Sequence, residues 1–360
     1  MENSKLRTGY TTGTCAAAAA KGAAFSLFLG ERKDNVEINL PNGEEVVIPI
    51  SQIKRSNGKA FCSVVKDAGD DPDVTDGLRI CAELKMTKGR DIEILGGKGV
   101  GVVTKPGLQV KMGEPAINPV PRMMIRDAVR EVIGRKGAQV TISVPGGEKI
   151  ARKTFNPKLG IIGGISIIGT TGIVKPMSLE SMKSSLVCGL DVAKAEGFDT
   201  VFLVPGRIGE RSVLRHFRVD NDQVIQMSNF AGFMLNEAHR RKFKHIFLAG
   251  HPGKLAKLIA GDFDTHSSKS ISATNIIVDI LGKIGCDKSL LAKCRDGNTV
   301  ESQIQELSKR NRLGVFNRVA KDIERSATNF LGKSIIVGVV LFSMAGDIIG
   351  ISKEVDRWRN

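Results

Sequence analysis

Aromatic polar side chains are nearly absent: one Trp and one Tyr stand beside 15 Phe in 360 residues. A protein that holds single-stranded nucleic acid usually interleaves aromatics with a basic stripe. Here the basic residues are scattered and form no tail, so no nucleic-acid partner is expected. The six cysteines (Cys15, Cys62, Cys81, Cys188, Cys286 and Cys294) form no CxxC pair and no zinc-finger spacing. That excludes a disulfide framework or a clustered metal site as the organising principle and leaves ordinary reduced thiols. No protein-bound metal is expected. Long apolar runs are missing too. The longest, at 159–174 and 335–346, are interrupted by Gly and fall short of the ~18 residues of a spanning helix. Residues 1–14 contain no hydrophobic signal core. A cytoplasmic protein without a membrane partner is the expectation. Acidic groups are also in deficit, 38 against 53 Lys and Arg, for a net charge of +15. Such a field favours a polyanionic partner.

What is present is glycine, 40 residues of it, and a length that exceeds one ordinary core. Two domains are expected: an N-terminal α+β domain over 1–156 and a C-terminal α/β domain over 157–360, divided where Asn156 meets Pro157. In the first, an alanine-rich helix over 15–29 is capped by Thr14. Strands follow at 36–40, 45–50, 61–66 and 91–95. The GGKGVG stretch at 96–101 misses dinucleotide-binding spacing and reads as a hairpin turn. A helix opens at Pro121, with Ile125, Ala128, Val129, Val132 and Ile133 on one face, and ends at Gly137. A last hairpin joins 140–144 to 149–153. In the second half, strands at 161–168, 200–204, 245–249 and 335–342 alternate with helices at 178–195, 230–242, 254–260 and 268–281. Three further helices lie near 289–294, 299–308 and 312–330. Alternation of this kind predicts a mostly parallel sheet.

Five motifs carry polar chemistry. RTGYTTGTC at 7–15 runs into the alanine helix, so Arg7, Thr11, Thr12 and Thr14 either receive an anion at a helix N-terminus or simply cap it. KDAGDDPDVTDG at 66–77 holds five carboxylates but departs from calcium-loop spacing, and reads better as a loop of Asx turns. NPKLGIIGGISIIGTTGIVKPMS at 156–178 puts Gly169, Thr170, Thr171 and Gly172 at a strand exit, either a ligand-binding end or a sharp turn. LVPGRIGER at 203–211 places Arg207 and Arg211 at a rim suited to carboxylates, or on ordinary surface. The fifth, GHPGKLAKL at 250–258 with DTHS at 264–267, brings Gly250, His251, Gly253, Lys254, Asp264 and His266 onto adjacent loops. Lys254 in a first helical turn opposes the dipole, and such local violations tend to collect at functional sites. His251 and His266, two of only five histidines, are either structural or proton-moving.

Taken in order, these segments with VTKPG at 103–107 resemble the cobalt-precorrin-5B C1-methyltransferase family, CbiD. The match runs from residue 7 to about 267; the last ~90 residues carry no recognised motif. The resemblance implies transfer of a methyl group from S-adenosylmethionine to C-1 of a cobalt-bearing, carboxylate-rich tetrapyrrole, with cobalt carried by the substrate. It also implies an N-terminal domain similar to the second domain of ribosomal protein S5. On this reading Asp264 and His266 assist catalysis. Gly169, Thr170, Thr171, Gly172, Gly250, His251 and Gly253 hold the methyl donor. Arg7, Thr11, Thr12, Thr14, Arg207, Arg211 and Lys254 hold substrate carboxylates. There is room for a homo-oligomer and for transient contact with neighbouring pathway enzymes. The alternative is a non-catalytic tetrapyrrole-binding or delivery protein of the same pathway, which would ignore S-adenosylmethionine.

Overall fold

The computed structural model describes residues 6–335, 337–356 and 358. The chain forms two compact units, 1–181 and 182–360.

The N-terminal unit begins with β1 (Gly9–Tyr10) and α1 (Thr12–Ala24), which runs into a π-helical turn, Phe25–Leu29. Every residue of α1 is buried. That is feasible because alanine adds little bulk: α1 lies at once against the strands Lys59–Val65 and Arg79–Thr87 and the helix Pro119–Ile133. The helix starts three residues before the expected Cys15, and Thr11, not Thr14, is its cap. A two-stranded ribbon, β2 (Asn35–Asn39) with β3 (Glu45–Pro49), follows.

The main sheet comprises β4 (Gln52–Ser56), β5 (Lys59–Val65), β6 (Arg79–Thr87), β7 (Ile92–Gly96) and β10 (Gly137–Ser143), in the order β4-β5-β6-β10-β7. Only the β10–β7 pairing is parallel. Between β7 and β10 come β8 (Gly99–Val100), β9 (Val102–Val103) and α2 (Pro119–Ile133). After β10 come α3 (Gly147–Ala151), β11 (Ile161–Ile162), β12 (Gly164–Ile165) and β13 (Ile173–Val174).

Several expectations give way here. GGKGVG is no hairpin: β8 pairs with β12 and β9 with β11; Gly99 has φ +79°, and only glycine fits there because a Cβ would lie 1.9 Å from the Val144 carbonyl oxygen. The helix α2 opens two residues before Pro121 and stops at Gly134; Gly137 instead begins β10. The second arm of the expected last hairpin is α3, a helix. The 161–168 segment is two short strands that pair inside this unit. Contacts therefore divide the chain at 181/182, beyond Asn156-Pro157.

The C-terminal unit alternates as expected. Helix α4 (Leu179–Ala195) leads into β14 (Thr200–Val204), α5 (Arg207–His216), β15 (Val224–Gln226), α6 (Ala231–Arg240), β16 (His245–Gly250) and α7 (Pro252–Leu255). Then α8 (Ala273–Lys283), α9 (Lys288–Asp296), α10 (Val300–Lys309) and α11 (Val315–Phe330) precede β17 (Val337–Phe342), β18 (Ile348–Ile351) and α12 (Lys353–Asp356). The expected last strand included Ile336, which lies outside the described residues. Strand order is β15-β14-β16-β17-β18, parallel at every step except β17–β18.

Alternate residues feed two cores. Val201, Leu203, Ile246, Leu248, Val337, Val339 and Leu341 join one; Phe202, Val204, Phe247, Ala249, Val340 and Phe342 join the other. Both faces are covered, which explains why these strands read as unbroken apolar runs. The carboxyl ends of β14, β15, β16 and β17 consequently open along one edge, where such sheets receive ligands. No helix among the described residues is long and apolar enough to cross a membrane.

Candidate functional site

In the N-terminal unit, three of the motifs meet. β1 pairs with β13. Thr11 N–H donates to Gly172 O (3.0 Å), Gly13 N–H to Ile168 O (3.0 Å), and Thr14 N–H to Thr11 Oγ1 (3.2 Å). Thr14 Oγ1 donates to Gly172 O (2.7 Å), while Thr12 Oγ1 accepts from Ile168 N–H (2.9 Å). Of the donors expected to greet an anion at the start of α1, the Thr11 and Gly13 amides thus go to the 166–174 segment and the Thr14 amide to Thr11 Oγ1. Gly169 and Gly172 serve this junction: Gly169 has φ +142° and a Cβ on it would lie 2.2 Å from Thr11 Oγ1. Thr170 and Thr171 remain exposed, and Thr171 closes a local turn with Ile173.

The acidic loop joins the same junction with each of its five carboxylates engaged. Asp67 grips Arg7 through both oxygens (2.5 and 2.9 Å), Asp70 accepts from Arg7 N–H (2.6 Å), and Asp71 from Met177 N–H (2.8 Å). Asp76 accepts from Ala68 N–H (2.8 Å), and Asp73 from Lys66 Nζ (2.8 Å) and from Thr75. Burial alone would raise Asp73, but the hydrogen bonds from Lys66 and Thr75 outweigh it and hold the carboxyl below its ordinary range. Arg7 is therefore committed to Asp67, whose hydrogen bond raises the guanidinium further. Burial pushes the thiols of Cys15 and Cys62 up to about 12, so both are protonated and unreactive at neutral pH.

The C-terminal rim is built differently. Arg207 opens α5 directly after β14 and Arg211 follows one turn later; both are exposed and make no ion pair among the described residues. Gly250 ends β16 where a Cβ would meet Pro205 at 2.7 Å. His251 then caps α7: its Nδ1 accepts from Gly253 N–H (3.0 Å), which leaves the proton of the neutral ring on Nε2, donated to Glu301 Oε2 (3.0 Å). Glu301 also accepts from Met344 N–H (3.3 Å), beyond β17. Lys254 Nζ donates to Asn229 Oδ1 (2.8 Å) beyond β15. Desolvation, and then the nearby charge of Lys257, lower Lys254 from its ordinary value.

Asp264 and His266 share the neighbouring loop without meeting through their side chains. Asp264 Oδ2 takes Lys269 Nζ (3.1 Å) and Oδ1 takes His266 N–H (3.3 Å). Burial would raise Asp264, yet these donors win and hold it low. His266 is exposed, with Nδ1 against Ser268 Oγ (2.7 Å). Three residues of the rim escaped the sequence reading: Asn229, Lys257 and Glu301. Lys257 offered a signal, a cation at position i+3 from Lys254 inside the apolar run LAKLIA. Asn229 follows β15, a three-residue strand too short to show a period, and Glu301 lies in a stretch without a known motif.

Comparisons with other proteins agree along the whole chain. The CbiD family description matches residues 1–176, and that of the CbiD C-terminal domain matches residues 264–353. A protein of Thermoanaerobacter sp. (strain X514) named cobalt-precorrin-5B C(1)-methyltransferase is 43% identical, covering 99% of this chain and 98% of that one. A Methanocaldococcus jannaschii protein of the same name is also 43% identical, over 96% of each. A crystal structure described as cobalamin biosynthesis protein (cbiD) from Archaeoglobus fulgidus is 32% identical, covering 72% of this chain and 82% of that one, with a TM-score of 0.39.

Proposed function

The chain belongs to the CbiD family, and on that premise we propose that it methylates C-1 of cobalt-precorrin-5B to give cobalt-precorrin-6A, with S-adenosylmethionine as donor. The observation that carries this reading is identity above 40% over essentially the full length to proteins bearing that name. The sites support it in kind. The rim at the carboxyl ends of β14–β17 offers Arg207, Arg211 and Lys254 to a carboxylate-rich tetrapyrrole, and cobalt belongs to that substrate. Gly250, His251 and Gly253 form the loop that would hold the donor; the close approach of Gly250 to Pro205 and the fixed His251 ring make that loop preorganised. When bound, S-adenosylmethionine supplies an electrophilic methyl group. The protein's task is to hold the ring carbon ~3–3.5 Å from it, in line, and to keep water out.

His266 and Asp264 we read as polar groups beside the reacting carbon, Asp264 ionised and His266 holding its proton on Nε2. The five-stranded N-terminal sheet, sharing a core with α1 and α2, supports a likeness to the second domain of ribosomal protein S5. The test is methyl incorporation: protein incubated with S-adenosylmethionine and cobalt-precorrin-5B should yield a product one methyl group heavier. Tetrapyrrole binding without any methyl transfer would instead mark a delivery protein. The His266→Ala variant should lower transfer and leave substrate binding nearly intact; wild-type turnover would assign the histidine to its loop alone.

A further inference from the structure

Three lysines are buried among the described residues, and their partners differ. Lys21 pairs with Glu131 and Lys66 with Asp73, whereas Lys257 donates to Thr265 O (3.1 Å) and Ser270 Oγ (2.7 Å), both neutral. A buried ammonium without a counter-charge is costly. A second lysine, Lys254, lies three residues earlier on the same helical segment, where like charges repel. Its partner is also neutral, Asn229 Oδ1.

Three acids of the adjoining loop and of α10 are engaged elsewhere. Asp262 Oδ2 accepts from Ile271 N–H (2.7 Å), Asp264 from Lys269 and the His266 amide, and Glu301 from His251 and the Met344 amide. The two ammonium groups are also linked in space. Lys254 holds the Asn229 side chain, Asn229 O accepts from Thr265 N–H (2.9 Å), and Thr265 O accepts from Lys257. The turn is fixed under strain, since Ser228 just before Asn229 has φ +52°, a left-handed conformation that a serine adopts only when its surroundings impose it. An ammonium has three donors. Lys254 uses one of these contacts and Lys257 two, so the pair retains N–H groups enough for both oxygens of a carboxylate.

We propose that Lys254 and Lys257, held at the two ends of the Asn229–Thr265 contact, receive a ligand carboxylate at the rim of the C-terminal sheet. A carboxylate there would supply the missing counter-charge and quench the repulsion between the two lysines. The proposal rests on the methyltransferase reading for its choice of ligand, because the methionine end of the donor and the acetate and propionate arms of the tetrapyrrole both carry that group.

Isothermal titration of the full-length protein separates these sources with three probes: S-adenosylhomocysteine, 5′-methylthioadenosine (the same thioether nucleoside without the amino-acid carboxylate), and uroporphyrin as a polycarboxylate ring. Lys254→Met and Lys257→Met should each weaken a carboxylate-bearing probe by about tenfold or more, while Lys254→Arg holds it within about threefold and methylthioadenosine is unaffected. Weakening confined to S-adenosylhomocysteine places the methionine end at the pair; weakening confined to uroporphyrin places a ring arm there. Unchanged binding of both in folded Lys254→Met overturns the proposal, and that variant decides alone if Lys257→Met does not fold. Wild-type protein that binds uroporphyrin but neither nucleoside would sink the donor reading while the ring still tests the lysines. Binding of none of the three would overturn both.

Discussion

Lys66 in the N-terminal unit and Lys257 in the C-terminal unit occupy similar depth and opposite circumstances. Lys66 is 2% exposed and meets Asp73, itself held by Thr75, within a loop whose every carboxylate has a protein donor. Lys257 is 8% exposed and meets a carbonyl and a hydroxyl, beside another lysine with no acid of its own. The contrast extends to their surroundings. Around Lys66 the Thr- and Gly-rich loops close on one another, so the densest run of motif residues in the chain builds a rigid junction. Around Lys257 and along the exits of β14 and β16, Lys257, Lys254, Arg207 and Arg211 make no ion pair among the described residues. The ligand site proposed for the C-terminal rim therefore rests on unsatisfied charge more than on motif density.

The largest effect should come from breaking the satisfied side. Asp73→Asn leaves Lys66 buried without a counter-charge and should cost about 3 kcal/mol or more, read as a fall in denaturation midpoint. Linkage gives the sign for wild type. Asp73 titrates lower when folded than when unfolded, so its stabilisation is complete above the unfolded value near ~4 and is lost as pH falls through the depressed folded one. Asp73→Asn should therefore flatten the acid limb of the stability profile. If the variant matches wild type across that range, the junction is not held by this pair.

Next in size is Gly169→Ala, where a Cβ must displace Thr11 at a φ that disfavours side chains; about 2 kcal/mol of destabilisation is expected. Should Gly169→Ala keep full stability and lose donor binding instead, the 169–172 turn would be a ligand loop after all. The smallest change in stability, within about 0.5 kcal/mol, belongs to Arg207→Gln with Arg211→Gln, because both side chains are exposed and make no ion pair among the described residues. There the readout is binding: the tetrapyrrole constant should rise and its dependence on salt should weaken. A constant indifferent to the double change would confine the anion site to the lysines.

Three of the five strands of the C-terminal sheet, β14, β16 and β17, are legible in the sequence because they are buried on both faces, whereas the short β15 and the partly exposed β18 are not. TVFLV at 200–204 and VGVVLF at 337–342 are unbroken apolar runs that permit little else. In the N-terminal unit, β6 was missed because RICAELKMT mixes charge with small apolar residues, although it sits at the heart of the main sheet. The 161–168 segment reads as another such strand, yet its glycines let it pair with β9 and then β8 in two short pieces. Arg7 looked like a free cation because its partner, Asp67, is 60 residues away. Polar satisfaction is a property of pairs brought together by folding, and no local pattern announces it.

The pairing of β1 with β13 also sets an order of events during synthesis. Residue 9 leaves the ribosome early, and although the 67–70 loop can engage its neighbours Arg7 and Tyr10, its strand partner comes only when residue 174 has followed. At ~5–20 residues per second, that wait lasts roughly ten to thirty seconds. Throughout it, the alanine helix lacks the 166–174 segment that receives the Gly13 amide and the Thr14 hydroxyl. Slowed translation before residue 174 should therefore lengthen the exposure of the nascent N-terminal unit to proteolysis and aggregation.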